Sequence, residues 1–291
     1  MSKDTLKVAS VCMCSKADVK ENIEKALGLV QSAADQGANW VLLPEMFTYM
    51  GAYSGLYDAA EWEGGPLNSQ LAEVSSKLGI ALFAGTVGER PGEHEQLNLD
   101  LLTNKEKGYK RVYNTLYGFS ENGKKIVKYR KTHLFELAAF EKGASYSEGD
   151  GFLPGDQFAH FEYQGWNIGI AICYDIRFPT LFTQISKDKP LDLIVVPAAF
   201  TEATGKRHWQ LLLQARAVEN QCYVIAANQT GEHRSGKRSF GHSMIIDPWG
   251  NVLENTEEKE GIAFAEISKS NLKHFRKTLP ARENRRLDLY Q

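Results

Sequence analysis

A chain of 291 residues, 43% of them apolar and 24% charged, can bury a large core and lacks the bias of a disordered or repetitive protein. Its 34 basic and 36 acidic residues nearly cancel, leaving a formal charge of −2, so no summed field draws it to nucleic acid or an anionic membrane. The basic stretches His233 to Arg238 and Arg276 to Arg286 read as solvated surface or ion-pair partners.

The opening MSKDTLKVASV lacks the apolar core of a signal peptide, and no apolar run approaches the ~18 residues of a membrane span. Cys12, Cys14, Cys173 and Cys222 are too few and too unevenly placed for a disulfide framework. We therefore expect reduced thiols in a soluble cytoplasmic protein.

Leu6 to Met13 reads as an apolar strand, and Asp18 with Glu21 forms a capping box opening a helix whose stripe is Val19, Ile23, Leu27 and Val30. Gly37 closes that helix before the short buried strand Trp40 to Leu43. A helix over Leu67 to Leu78 and a strand over Ile80 to Val87 follow. The polar segment Gly88 to Lys110 reads as a surface excursion. Arg111 to Phe119 and Lys125 to Arg130 are strands joined by an Asn122-Gly123 turn. Thr132 to Phe158 lacks periodicity, which at this length points to a functional or mobile loop.

Trp166 to Cys173 is the next buried strand. A helix near Pro179 to Ser186, a strand over Leu193 to Val196, a helix over Arg207 to Asn220 and a strand over Tyr223 to Ala227 continue the alternation. Gly241 to Glu254 reads as a hairpin, followed by a strand over Ile262 to Ile267 and a short helix. Alternating strands and helices with interspersed hairpins predict a layered α/β fold with mixed sheets, and no composition break divides the chain.

Three segments place a reactive side chain at a strand end: WVLLPEMF with Glu45, VKYRKTHLF with Lys131, and GIAICYDIRFP with Cys173. Singly, each has an ordinary explanation: an exposed acid, a solvated lysine like Lys124, Lys125 and Lys128, and a small buried thiol. Tyr174, Asp175 and Arg177 crowd polar groups behind Cys173, as a cleft requires. Tyr49/Tyr53 and Phe200/Thr201 flank strand ends, where they either shape access to a pocket or pack on the surface.

Together with RHWQLLLQARAVENQCYVIAANQ and GHSMIIDPWG, these segments resemble the nitrilase superfamily of carbon-nitrogen hydrolases over essentially the whole chain. The resemblance implies a four-layer α-β-β-α sandwich built on two mixed sheets as one domain over 1–291. It also implies homodimers or homotetramers, with a tail from about 277 to 291 at the interface. It makes Cys173 the nucleophile, Glu45 the general base and Lys131 the cation facing a tetrahedral intermediate, helped by the Tyr174 backbone N–H. The chemistry independently needs these types, since a thiol needs a base and an oxyanion needs positive charge or donors. A second glutamate follows in the family; Glu148 matches it, with Glu141 the alternative. Some relatives hold a substrate carboxylate with an arginine at the position of Arg177, for which an internal salt bridge is the competing role. Tyr49 and Thr201 complete the expected substrate site. No metal or organic cofactor is implied.

The motifs look most like the branch containing deaminated glutathione amidases, with omega-amidases and N-carbamoyl-amine amidohydrolases as alternatives. The expected partner is thus a small amide. A catalytically silent scaffold and an acyltransferase are the competing classes. The seven histidines never form the i, i+4 pair of a zincin, and GDGFLPG at 149 to 155 lacks the lysine of a phosphate-binding loop.

Overall fold

The computed structural model describes residues 4–92, 95, 99–138 and 145–289. Two sheets dominate, one of eight strands and one of six. In the first, Thr5–Cys12 lies between the parallel strand Trp40–Leu42 and the antiparallel strand Gly261–Ser268. Ala81–Phe83 and Val112–Phe119 extend it on the Trp40 side. In the second, Trp166–Ile170, Leu193–Ala198 and Tyr223–Asn228 run parallel, and the Met244–Ile246 and Val252–Asn255 hairpin adds antiparallel strands. Both sheets are mixed, as the hairpins in the sequence predict.

Strand alternation explains the layering. Leu6, Val8, Trp40 and Leu42 point from the first sheet onto Trp166, Leu193, Val195, Tyr223 and Ile225 of the second, forming the inner core. Their neighbours Ala9, Val11 and Val41 face outward under Ala26 and Val30 of the helix Val19–Asp35 and Leu67 and Leu71 of the helix Pro66–Leu78. On the far side Ile194, Val196 and Val224 pack against Pro179–Ile185 and Glu202–Asn220 through Leu181, Phe182, Trp209 and Leu213. The result is the four-layer α-β-β-α sandwich. Asp18 caps the first helix through the Glu21 N–H, but the positions buried along that helix are Asn22, Ala26, Val30 and Ala33, so only Val30 of the expected stripe lies deepest.

Several boundaries differ from the sequence reading. The strand expected over Ile80 to Val87 is broken into Ala81–Phe83 and Val87–Glu89. Gly85 causes the break: its φ is +49°, and a Cβ there would meet the Pro44 carbonyl oxygen at 2.0 Å. That close approach lets Thr86 Oγ1 accept from Met46 N–H at 2.8 Å, supporting the turn that carries Glu45. The strand expected to run to Cys173 ends at Ile170. The helix expected from Arg207 begins at Glu202, capped by Thr201.

The Gly88 to Lys110 excursion contains a small hairpin, Thr103–Asn104 with Tyr109–Lys110; residues 93, 94 and 96–98 lie outside the described residues, as does Glu141. Among the described residues no helix is long and apolar enough to cross a membrane, and the four cysteines are unpaired. Within the stretch His233 to Arg238, Ser235, Gly236 and Arg238 are exposed and Arg238 pairs with Glu202 at 2.9 Å, as expected of solvated or ion-paired surface, whereas His233 is buried. The stretch belongs to the antiparallel hairpin Thr230–Arg234 and Lys237–Phe240, which reaches over the mouth of a cleft.

Candidate active site

Glu45 follows Trp40–Leu42, and Lys131 follows Lys125–Arg130, both in the first sheet; Cys173 follows Trp166–Ile170 in the second. Strand ends from both sheets thus meet at one place. Glu45 is clamped by its backbone, whose N–H donates to the Ala198 carbonyl at 3.3 Å and whose carbonyl accepts from Gln229 Nε2 at 3.0 Å. Immediately after it Met46 takes a φ of +50°, turning the chain away. Lys131 is held by N–H donation to the Asn114 carbonyl at 2.9 Å and by acceptance from Gly155 N–H at 2.8 Å.

Lys131 is 2% exposed, and its ammonium donates to Glu45 Oε1 at 2.9 Å and to Glu148 Oε1 and Oε2 at 2.9 and 2.7 Å. Asn114 Nδ2 bridges the two carboxylates, donating to Glu45 at 2.8 Å and to Glu148 at 3.2 Å. Backbone donors complete the set, with Ala199 N–H on Glu45 Oε2 and Phe135 N–H on Glu148 Oε2, each at 2.7 Å. A buried charge cluster persists only when its members satisfy one another in this way.

Burial alone pushes the Lys131 ammonium down, but Glu148 and Glu45 outweigh it and hold the pKa well above the usual lysine range. Burial raises Glu148, the Lys131 charge offsets part of that, and Glu45 adds to the rise. Burial also raises the Cys173 thiol well above its usual range, reinforced by Glu45 and opposed by Lys131 and the Ala199 N–H. Burial and Glu45 thus favour the neutral Cys173 thiol, while Glu148 and Glu45 favour the charged Lys131 ammonium.

Cys173 has a φ of +48°, a left-handed conformation that a non-glycine residue adopts only when its surroundings enforce it. Asp175 supplies much of the enforcement. Its fully buried carboxylate accepts from Ile172 N–H at 2.8 Å, Tyr129 hydroxyl at 2.8 Å, and His133 N–H at 3.1 Å, with His133 Nδ1 at 2.7 Å. One side chain thereby ties the Cys173 turn to the segment that follows Lys131. His133 also stacks on Phe178 with ring centroids 3.9 Å apart.

A cavity of about 520 Å³ opens over this cluster. Of the residues singled out in the sequence, Glu45, Lys131, Glu148, Cys173, Tyr49, Tyr53 and Thr201 line it, while Tyr174, Arg177 and Phe200 do not. Arg177 instead lies beside the Tyr174 and Phe200 rings, 5.7 and 5.0 Å from their centroids, with Nη1 3.3 Å from His208 Nδ1. Its Nε is buried without a hydrogen-bond partner among the described residues. No salt bridge of Arg177 is found among the described residues, so the internal-pair role has no carboxylate to support it. No three His, Cys, Asp or Glu side chains converge as a metal site among the described residues.

With this geometry in place, the carbon-nitrogen hydrolase family model matches residues 7–277. The chain belongs to the carbon-nitrogen hydrolase family. It is 36% identical over 280 residues to a deaminated glutathione amidase from Synechocystis sp., covering 95% of this chain and 97% of that one. It is 34% identical over 286 residues to an omega-amidase from Mus musculus, covering 98% and 97%. Its fold matches the crystal structure of Saccharomyces cerevisiae Nit3, described as a member of branch 10 of the nitrilase superfamily, with a TM-score of 0.83, 28% identity and 98% of each chain covered.

Sequence reasoning missed parts of this carbon-nitrogen hydrolase site. Asn114 shows only as a polar residue inside the apolar run VYNTLYGF, and the Ala199 N–H leaves no trace in side-chain identity. The hairpin was legible in principle: Ser235-Gly236 is a turn signal between two strand-length segments.

Proposed function

We propose that this carbon-nitrogen hydrolase cleaves a small carboxylate-bearing amide through a thioester on Cys173. The carrying observation is the buried Lys131 ammonium, bound to Glu45 and Glu148 and acting electrostatically on Cys173 in the same cavity. In the first half-reaction the thiol proton passes to Glu45 as Sγ adds to the amide carbon. Lys131 stabilises the resulting oxyanion, with the Tyr174 N–H as the proposed second donor. When the tetrahedral adduct collapses, the carbon-nitrogen bond breaks and Glu45 returns the proton to the departing amine. Water then adds to the thioester with Glu45 as base, and the carboxylic acid and thiol are released. Glu148 keeps Lys131 charged and aimed.

The similarity to a deaminated glutathione amidase and to an omega-amidase supports amides carrying a carboxylate. We propose Arg177, which lies outside the cavity lining, for the carboxylate nearest the scissile bond, since its Nε has no hydrogen-bond partner among the described residues and its charge interacts with Cys173. The four unpaired thiols suit a reducing, cytoplasmic compartment. We also propose a homodimer or homotetramer, with exposed Leu211, Val218, Trp249 and Leu279 at its contacts and the tail from about 277 at its edge.

A panel of amides, with and without carboxylates, assayed for released ammonia or amine tests the reading. Hydrolysis lost in Cys173→Ala and kept in Cys222→Ala supports it. Hydrolysis surviving in Cys173→Ala overturns it.

A further inference from the structure

Asn114 enters the site from the strand Val112–Phe119, whose ladder with Lys125–Arg130 pairs Thr115 with Arg130. The next rung is the Lys131 N–H on the Asn114 carbonyl at 2.9 Å, so Asn114 and Lys131 share one face of the strand pair. Thr115 takes the other face, where its hydroxyl donates to Glu89 at 2.6 Å. Register alone therefore stands a buried amide beside the buried ammonium.

The two ends of that amide are treated differently. Nδ2 directs its N–H groups at Glu45 Oε1 and Glu148 Oε1, while Oδ1 is buried with no hydrogen-bond partner among the described residues. An unpaired buried acceptor is unfavourable, yet turning the amide over would set Oδ1 against two carboxylates, which is worse. The fold thus leaves the acceptor unpaired and keeps the donors on the carboxylates.

Those donors fill acceptor positions, of which a carboxylate offers about four. Glu148 has four N–H contacts: two from Lys131, one from Asn114 and one from the Phe135 backbone. Glu45 Oε1 takes two, from Lys131 and Asn114, whereas Oε2 takes only the Ala199 N–H among the described residues. The same Ala199 N–H also hydrogen-bonds the Cys173 sulfur, so the incompletely filled oxygen and the nucleophile share one donor.

We propose that Asn114 is the positioning residue that makes the two carboxylates unequal: it closes Glu148 and Glu45 Oε1 to further protons and leaves Glu45 Oε2 to take the Cys173 proton. This rests on the thioester reading of the same site. As Sγ adds to the amide carbon the thiol proton moves to Oε2, and as the carbon-nitrogen bond breaks the same proton leaves on the departing amine. Without the Asn114 donors, Glu148 gains an open position beside the ammonium and both carboxylates hold their charge less well. Glu148, already raised by burial, then rises further.

The test is Asn114→Leu, similar in size and without donors, with Asn114→Ala in its place should leucine not fold. Asn114 does not line the cavity, so kcat should fall about 10-fold or more while KM for the amide stays within about threefold. The acid limb of kcat/KM, which belongs to the two-carboxylate cluster as a whole, should move to higher pH by about half to one unit. Carbon-13 NMR titration of the glutamate carboxyls, with Glu148 identified by Glu148→Gln, should show Glu148 moving the same way. The other groups facing the pair, Lys131, Cys173, Tyr53 and Tyr146, are unchanged in the variant, so the shift reports the amide. Thr115→Val is the control: it removes a buried donor from the opposite face and should leave the acid limb in place even where the thermal midpoint falls. Activity lost in the Asn114 variant with the acid limb and the Glu148 titration unmoved makes Asn114 a packing residue and overturns the proposal, as does an unchanged kcat. If the wild-type protein hydrolyses no amide, the thioester reading fails by itself; the carboxyl titration then decides, a shifted Glu148 supporting the unequal pair and an unshifted one overturning it.

Discussion

Lys131 and Glu148 meet through both carboxylate oxygens, at 2.9 and 2.7 Å, with neither side chain more than 5% exposed. Since Glu45 touches the same ammonium, the cluster holds two carboxylates and one ammonium, a surplus of negative charge in the interior.

That surplus fixes the sign of the first prediction. Burial raises the Glu148 pKa despite Lys131, so the protonated carboxyl favours the fold. This contribution is fully present below the unfolded value of about 4.3 and is lost as pH rises through the higher folded value. Glu148→Gln imitates the neutral form at every pH. We expect kcat to fall about 100-fold or more while the thermal midpoint at pH 7 to 8 holds or rises. A large fall in midpoint with kcat preserved would show that Glu148 only braces the fold.

The second prediction concerns thiol reactivity. Burial, then Glu45, raises the Cys173 pKa, so the free thiolate is scarce near neutrality. Alkylation of Cys173 by iodoacetamide, read at peptide level to separate it from Cys14, should still be rising steeply at about pH 10, where an ordinary thiol of pKa about 8.5 has nearly levelled off. A plateau below pH 8 would contradict the neutral resting thiol.

Lys128 provides the third. It lies three residues before Lys131 but pairs with Glu63 and Glu89 at 2.6 and 2.7 Å on the other side of the strand. Lys128→Ala should leave kcat/KM within about twofold and cost about 0.2–1 kcal/mol, because the lysine is partly solvent-screened and Arg130 still pairs with Glu89. Lys131→Gln should lower kcat at least about 100-fold. Equal losses in steady-state assays would mean that the wrong lysine has been placed in the site.

The contrast between these lysines shows what the sequence discloses. Apolar runs ending in Glu45, Lys131 and Cys173 mark strand ends, and strand ends of a layered fold are where clefts form. Alternation along Leu6 to Val11 encodes the two faces of the first sheet. What stays hidden depends on three-dimensional approach: the Asn114 bridge, the Ala199 N–H and the break at Gly85 become meaningful only when distant segments touch. The hairpin's exposed, ion-paired Arg238 was legible from its charge, but the buried His233 and Ser239 that pin the hairpin down were not. Arg177 was singled out by the resemblance to relatives at that position, but side-chain direction, which such a match does not give, carries it alongside Phe200 and out of the cavity lining.

The central claim is a covalent acyl intermediate on Cys173. The most direct measurement is rapid-quench mass spectrometry of the enzyme mixed with an amide whose acyl group leaves slowly, followed by peptide mapping. The account predicts a mass increase equal to the acyl group minus one hydrogen on the Cys173 peptide. It should appear at the rate of amine release and be absent in Cys173→Ala and in Lys131→Gln on the same timescale. Steady hydrolysis with Cys173 unmodified at every quench time, in an enzyme that remains active after Cys173→Ala, would contradict it.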